Sequence, residues 1–588
     1  MSMHIRGSRQ AGIALAAAAI VALSAPTAGY ADPAHQPASA HQGDDHGPGH
    51  DHGSEGGAAA TTATPIKHLV VLFQENVSFD HYFGTYPNAA NPAGEPAFHA
   101  RPGTPSVNGL NDGLLTANPN LSNPQRLSRA QAATCDQDHG YTDEQKAFDG
   151  GAMDQFVQNT GHSLTLAQCL AAEKNPAPAT GTAPNYAVMD YYDGNTVTGM
   201  WNYAQHFAMS DNSYGTTFGP SSPGAISVTA GNTYGAQCGP ASAVVNAAPC
   251  AAPAGGTPST VGASTAPGAG TMYSDADPYY DVCSTTQDGN TAAKTIAMGG
   301  KNIGDLLSAK NLTWGWFQGG FASPNYVPGK PSTDDLSSVC TGTHQNILGS
   351  SIKDYSPHHE PFQYYASTAN PTHLPPTSIA AIGHQDQANH QYDLKDFWAA
   401  ADNNNLPSVS YLKAPAYQDG HAGYSDPLDE QTFITNTVNQ LEKLPSWSST
   451  AVVVAYDDSD GWYDHQVGPI LTQSQTALDA LTGTGTCGSS TAKVPTGDTG
   501  QPQEARCGVG PRLPLLVISP YSRSNFVDNT FTSQTSVVKF VEDNWLGGER
   551  IGNGSADAIS GTLTNMFDFS HPTDRRLFLD SSTGEPIR

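Results

Sequence analysis

Four residues at two distant points of the sequence have side chains suited to a hard cation. Glu75 and Asn76 follow one apolar run, and Asp457 and Asp458 follow another. Three carboxylates and an amide oxygen form an oxygen-rich set that fits one divalent ion: Ca²⁺, Mg²⁺ or Mn²⁺. Without an ion, converging carboxylates repel and one takes up a proton. With an ion, the site gains positive field for an anionic ligand. The plainer reading is that all four are surface residues at strand ends.

A second element is Phe218-Gly219-Pro220-Ser221-Ser222-Pro223-Gly224. A hydroxyl residue between such punctuators sits on a constrained turn at a helix start. Ser221 could be a helix cap and nothing more, or a nucleophile beside free helix N–H groups that suit a phosphate. No GxSxG elbow and no GxxxxGK[ST] loop accompanies it. Histidines supply the third element. His139, the pair His358-His359 and His421 all lie beside turn-forming residues, where imidazoles can bind phosphoryl oxygens or protonate a leaving alkoxide. His390 reads as structural, and His465 as support for the Asp457/Asp458 loop.

These groups need elements that deliver them. Leu69–Phe73 reads as a buried, parallel-type strand leading into Glu75, with order beginning at Ile66. Ala451–Tyr456 repeats the pattern before Asp457, and Leu513–Ile518 reads as a third such strand. Thr535–Trp545 reads as a helix with Val537, Val538, Phe540 and Val541 on its apolar side. Strands with intervening helices predict an α/β sheet covered on both faces, with ligands beyond the carboxyl ends of the strands. Residues 232–300 and 471–510 read as long loop insertions in a single domain spanning 64–588.

Composition sets the bounds. The chain has 588 residues, with 25 Lys+Arg against 53 Asp+Glu, a formal net charge of −28. That excludes a general nucleic-acid binder, which needs concentrated positive charge. The 60 Gly and 43 Pro point to a loop-rich globular protein rather than a coiled coil or a collagen. Residues 1–31 read as a cleaved secretory signal, with Arg6 and Arg9 before an apolar stretch and a small-residue site at Ala31. A periplasmic or secreted protein with no integral membrane segment after cleavage is expected. Residues 32–63, with His35, His41, His46, His50 and His52, read as a solvated tail. The eight cysteines contain no CxxC pair and suggest disulfides, with Cys238–Cys250 and Cys487–Cys507 as the local pairings.

The blocks ENVSFDHYFG (75–84), FGPSSPG (218–224), SPHHEPFQYY (356–365), DGHAGYS (419–425), DDSDGWYDH (457–465) and LPLLVISPYSR (513–523) resemble the bacterial acid phosphatase and phospholipase C phosphoesterase family. That family belongs to the alkaline-phosphatase-like superfamily. The resemblance implies an alkaline-phosphatase-like α/β fold, with a central, mostly parallel sheet and helices on both faces. It implies one metal ion on Glu75, Asn76, Asp457 and Asp458, with Ser221 as nucleophile. His139, His358, His359 and His421 would hold the phosphoryl group. It further implies a covalent phosphoseryl intermediate, with His359 or His139 protonating the leaving group. Ser222 is the rival nucleophile. Phospholipase-like members commonly have Thr followed by Pro-Asn after the Gly-Pro, and Ser221-Ser222-Pro223-Gly224 departs from this. The expected substrate is therefore a small phosphate monoester, with a phospholipid headgroup as the alternative. A non-catalytic binding module is the remaining reading.

Overall fold

The structure, a computed structural model, describes residues 61–161, 186–233, 236–238, 274–284, 295–330, 336–472, 474, 479–481, 487 and 506–587. The expected signal, most of the His-rich tail and the Cys238–Cys250 pairing lie outside these residues. The tail's last residues are already anchored: the Ala63 N–H donates to Asn544 O, and the Thr64 N–H donates to Asn544 Oδ1. The described residues just before Ile66 are thus held against Asn544.

Eight strands form the main sheet: β1 (His68–Gln74), β2 (Ala208–Ser210), β3 (Trp314–Gln318), β4 (Gln391–Asp393), β5 (Val409–Lys413), β6 (Thr450–Tyr456), β7 (Leu515–Ile518) and β8 (Phe526–Asp528). Their order is β8-β2-β7-β6-β1-β5-β3-β4. Only β7 runs against the others. The third expected strand thus exists, but in the antiparallel sense, so its carboxyl end lies at the opposite rim. A fully buried apolar run has the same composition in either direction.

Helices cover both faces. The relevant ones are α1 (Phe79–Phe83), α2 (Tyr141–Phe148), α3 (Thr198–His206), α4 (Ser221–Ala230), α5 (Ile303–Ala309), α6 (Leu394–Asp402), α7 (Pro427–Leu441) and α8 (Thr535–Trp545). Val70 and Leu72 of β1 pack in one cluster with Trp201 of α3, Phe397 of α6 and Ile434 of α7. Leu69, Val71 and Phe73 belong to the other, with Val228 of α4, Leu307 of α5 and Val538 of α8. Alternate residues thus point to opposite cores, and the strand reads as an unbroken apolar run. The α8 boundaries and its buried Val537, Val538, Phe540 and Val541 match the sequence expectation.

Register decides where chemistry can occur. Parallel pairing matches Gln74 of β1 with Tyr456 of β6. The next residues, Glu75 and Asp457, therefore leave the sheet side by side. On the other flank β5 pairs Leu412 with Leu72, which brings Lys413 to the same rim.

Around this core, the ends of the 232–300 segment pair as antiparallel strands, Ala236–Cys238 with Ile296–Met298. Disulfides join Cys487 to Cys507, as expected, and Cys283 to Cys340. Among the described residues, no helix is long and apolar enough to cross a membrane.

Candidate active site

Beyond Gln74 the chain turns sharply, and Asn76 takes a left-handed φ of 54° that asparagine tolerates better than most residues. Its N–H donates to Asp457 Oδ1 at 2.8 Å, tying the two strand ends together. The Asp457–Asp460 turn is built from its own side chains. The Asp458 N–H donates to Asp457 Oδ1 at 2.7 Å, and the Asp460 N–H to Asp458 Oδ1 at 2.6 Å. Such self-capping is what Asp does in turns. Further along, fully buried Arg512 bridges Asp80 of α1 and Asp464, while His465 Nδ1 lies 2.5 Å from Asp80 Oδ2. His465 thus clamps the aspartate loop to α1, its expected supporting role. His390 stacks on Trp314 with ring centroids 4.3 Å apart, consistent with the structural reading.

Ser221 opens α4, with Pro220 as its cap. Ser221 Oγ donates to Asp458 Oδ2 at 2.9 Å and lies 3.2 Å from Asn76 Oδ1. Ser222 faces elsewhere: its Oγ accepts from Tyr364 at 3.2 Å, and its N–H donates to Asp275 at 3.0 Å. Two glycines bring the helix into place. A Cβ on Gly224 would lie 2.2 Å from the Asp457 carbonyl oxygen, so only glycine lets α4 approach so closely. Gly219 has φ of 112° and donates its N–H to buried Glu144 at 2.7 Å.

Histidines surround these groups. His359 Nδ1 is 3.3 Å from Glu75 Oε1 and 3.8 Å from Asp419 Oδ2. His139 Nδ1 faces the Gln137 carbonyl at 3.0 Å and Asp460 Oδ1 at 3.2 Å. The His139 and His421 ring centroids are 6.2 Å apart. His421 stacks on Tyr424, whose hydroxyl donates to Asp419. His358 packs edge-on against His359, with Nδ1 toward Ser356 and Asp277. The four expected cation ligands, Ser221, His139, His359 and His421 therefore share one site, and His358 sits beside His359.

Sequence reasoning missed Lys413 and the roles of Asp419 and Asp460. Lys413 contacts Glu75 Oε1. A lysine ending a strand at the carboxyl rim is the available signal, but the run VSYLK is too short, with Ser410 within it, to read as a strand from its pattern.

The charge balance of the site asks for a cation. Burial and the neighbouring Asp457 push Glu75 and Asp458 well above the ordinary carboxyl range. Asp457 stays low despite its burial, because Glu75 hydrogen-bonds to it and Lys413 lies near. The Asn76 amide gives a second indication. One side of it faces Glu75 Oε2 at 3.0 Å, Asp457 at 3.2 Å and the Ser221 hydroxyl at 3.2 Å. With its oxygen on that side the amide accepts from Ser221 Oγ, and the carboxylate oxygens beside it make that oxygen a suitable partner for a cation. The oxygen-rich chemistry of the four residues suits a divalent ion. Among the described residues, the side chains of this site that gather closely enough to hold an ion together are Glu75, His359 and Asp419, and Asp136, His139, His421 and Asp460; Glu75, Asp457 and Asp458 do not form such a group as placed.

The imidazoles divide. His139 is raised well above its ordinary value: burial opposes its charge, but the carboxylates of Asp458 and Asp460 outweigh that. Burial, with His358 and Lys413 nearby, holds His359 well below its ordinary value, and burial lowers His421. A charged and a neutral imidazole at one site can give and take protons.

Residues 66–546 match the sequence profile of the Phosphoesterase family. Among characterised proteins, 172 residues are 33% identical to the non-hemolytic phospholipase C of Pseudomonas aeruginosa, covering 29% of this chain and 25% of that protein. The hemolytic phospholipase C of the same organism is 30% identical over 178 residues, 30% of this chain and 23% of that protein. Phospholipase C A of Mycobacterium tuberculosis is 28% identical over 186 residues, 30% of this chain and 32% of that protein. The matched segments span about a quarter to a third of these relatives' own length. Because the family profile covers most of the sequence, including every residue of the site, the chain belongs to the phosphoesterase family.

Proposed function

We propose that the chain is an exported, metal-dependent phosphoric ester hydrolase with an alkaline-phosphatase-like fold, acting on the phosphodiester of a phospholipid headgroup in the manner of a phospholipase C. The observation that carries the reading is Ser221 Oγ, which lies within hydrogen-bond reach of Asp458 from one strand end and Asn76 from another. On sequence alone, a monoesterase ranked first and phospholipase C second. The three relatives described above are phospholipases C by name, which supports placing the diester reading first.

Glu75, Asn76, Asp457 and Asp458 would hold the ion. Bound there, a divalent cation supplies positive charge that favours ionised Ser221 and an anionic phosphoryl group. The protein's own residues do the rest. Ser221 Oγ is presented at the N-terminus of α4, the end of a helix that favours an anion. Ser221 Oγ attacks phosphorus in line, the ester oxygen leaves with a proton, and water then hydrolyses the phosphoseryl ester. His139 engages its Nδ1 with Gln137 and Asp460 and donates the leaving-group proton through Nε2. His421, whose Nδ1–H is given to the Ala422 carbonyl, and His359, whose Nδ1 faces Glu75, are held low by burial and offer a bare Nε2 that can accept from the attacking water.

A substrate panel tests the assignment. Phosphatidylcholine vesicles, a soluble phosphocholine diester and an aryl phosphate monoester are offered to the same purified protein. Diacylglycerol release with little monoester turnover supports the diester reading. The reverse preference restores the monoesterase.

A further inference from the structure

Lys413 closes β5 with its side chain inside the protein, only 1% exposed. A lysine is almost never that buried unless paired. Its ammonium contacts Glu75 Oε1 and lies 5.9 Å from the centre of the Phe73 ring. His359 Nδ1 approaches the same carboxylate oxygen at 3.3 Å. The other oxygen, Glu75 Oε2, meets the Asn76 amide at 3.0 Å, on the side where Asp457 also meets that amide at 3.2 Å. The two oxygens of Glu75 are thus divided: one is occupied by a protein cation, and the other faces the remaining acceptor groups.

We propose that Lys413 is a positioning residue for the cation site: by holding Glu75 Oε1, it keeps Oε2 turned toward Asn76 and Asp457. This rests on the reading of Glu75 as a metal ligand. Lys413 also lies near Asp419 and Asp457, but its hydrogen bond is to Glu75 Oε1, and that bond is what fixes the carboxylate's orientation. Partners that orient first ligands typically change metal affinity about 10–100-fold when removed.

The test uses the full chain stripped of metal, with Mn²⁺ as the probe. Its dissociation constant is measured by calorimetry and its coordination by electron paramagnetic resonance. The melting temperature of the metal-free protein is recorded for each variant. Lys413→Met removes the charge at similar length. Lys413→Arg keeps the charge but replaces a compact ammonium with a planar fork that cannot reproduce the same contact. Affinity about 10–100-fold weaker in Lys413→Met, with Lys413→Arg between it and the parent, supports the proposal. If Lys413→Met does not fold, Lys413→Arg alone carries the test, with weaker binding and an altered resonance spectrum expected. Mn²⁺ affinity within twofold of the parent in whichever variants fold, whatever the melting temperature does, overturns it. Glu75→Gln separates the two failures. If that variant loses Mn²⁺ while the Lys413 variants keep it, the positioning role alone falls. If Glu75→Gln also binds like the parent, the ligand reading falls and the positioning role falls with it.

Discussion

Ser221 and Ser222 are adjacent in sequence and opposite in surroundings. Ser221 Oγ sits between Asp458 and Asn76, whereas Ser222 Oγ is engaged by Tyr364. Ser221→Ala is therefore expected to lower kcat by about 10³-fold or more with KM little changed, since the lost group acts only once substrate is bound. Ser222→Ala should stay within a few-fold of the parent and cost about 1 kcal/mol of stability, the worth of one hydrogen bond. Steady-state kinetics and urea unfolding of the two variants check this, and equal activity in both would remove Ser221 from its role. The family resemblance put Ser221 ahead of Ser222, but composition alone does not distinguish them, because the physical difference is which face of the first turn of α4 meets the aspartate loop. The sequence displayed Glu75, Asn76, Asp457 and Asp458 more fully, since each directly follows an apolar run. Asp460 and Asp419 were on view as letters only. Their contacts with His139 and His359 come from loops that converge in space.

At the scale of elements, the long runs were legible and the short ones were not. β1, β6 and α8 announce themselves because every residue, or every residue on one side, faces a core. β3 and β5 are equally buried but only five residues long, with Gly315 and Ser410 interrupting them, so periodicity had too little to work on. The reversed direction of β7 is set by its neighbours and leaves no mark in its composition. The close approach of α4 to the end of β6 is the element contact on which the site depends. Gly224→Ala places a Cβ against the Asp457 backbone, which cannot yield as a flexible side chain would. The helix must shift or the core must strain, at about 1–3 kcal/mol. A displacement near 1 Å at Ser221 would lower turnover by about 100-fold. Urea unfolding and kcat on the same preparation check both effects. Unchanged stability and turnover would show that α4 is not held against the strand end in this way.

At the scale of the whole molecule, the formal charge of −28 overstates what the folded protein carries near neutrality. Burial pushes Glu430 and Glu442 up to about 7, Asp190 to about 7 and Asp396 to about 8. A carboxyl raised in this way holds its proton in the folded chain after the unfolded chain has lost it. Its contribution to stability is fully present below its unfolded pKa of about 4, and is lost as pH rises through 7 to 8. Buried His81 and His390 act in the opposite sense below about pH 6.5, because burial drops them to about 3 and about 4. Metal-free protein is therefore expected to be more stable at pH 6.5 than at pH 8. Glu430 receives hydrogen bonds from the Tyr82 and Tyr456 hydroxyls, and Glu430→Gln should flatten the slope over that interval. Urea unfolding at several pH values measures it, and an unchanged slope would place the proton uptake elsewhere. With Lys and Arg scarce, Lys413 and His139, together with the ion proposed for the site, would be the local positive charges that admit an anionic substrate to so acidic a protein.

In the proposed function, Glu75, Asn76, Asp457 and Asp458 hold one divalent ion on which ester hydrolysis through Ser221 depends. The most direct measurement is phosphatidylcholine hydrolysis by thoroughly chelated protein, with Ca²⁺, Mg²⁺ or Mn²⁺ then titrated back. Activity should vanish and return at one ion per chain, and should not return in Asp457→Asn. Hydrolysis that survives complete metal removal would show that the reaction does not depend on an ion at these residues.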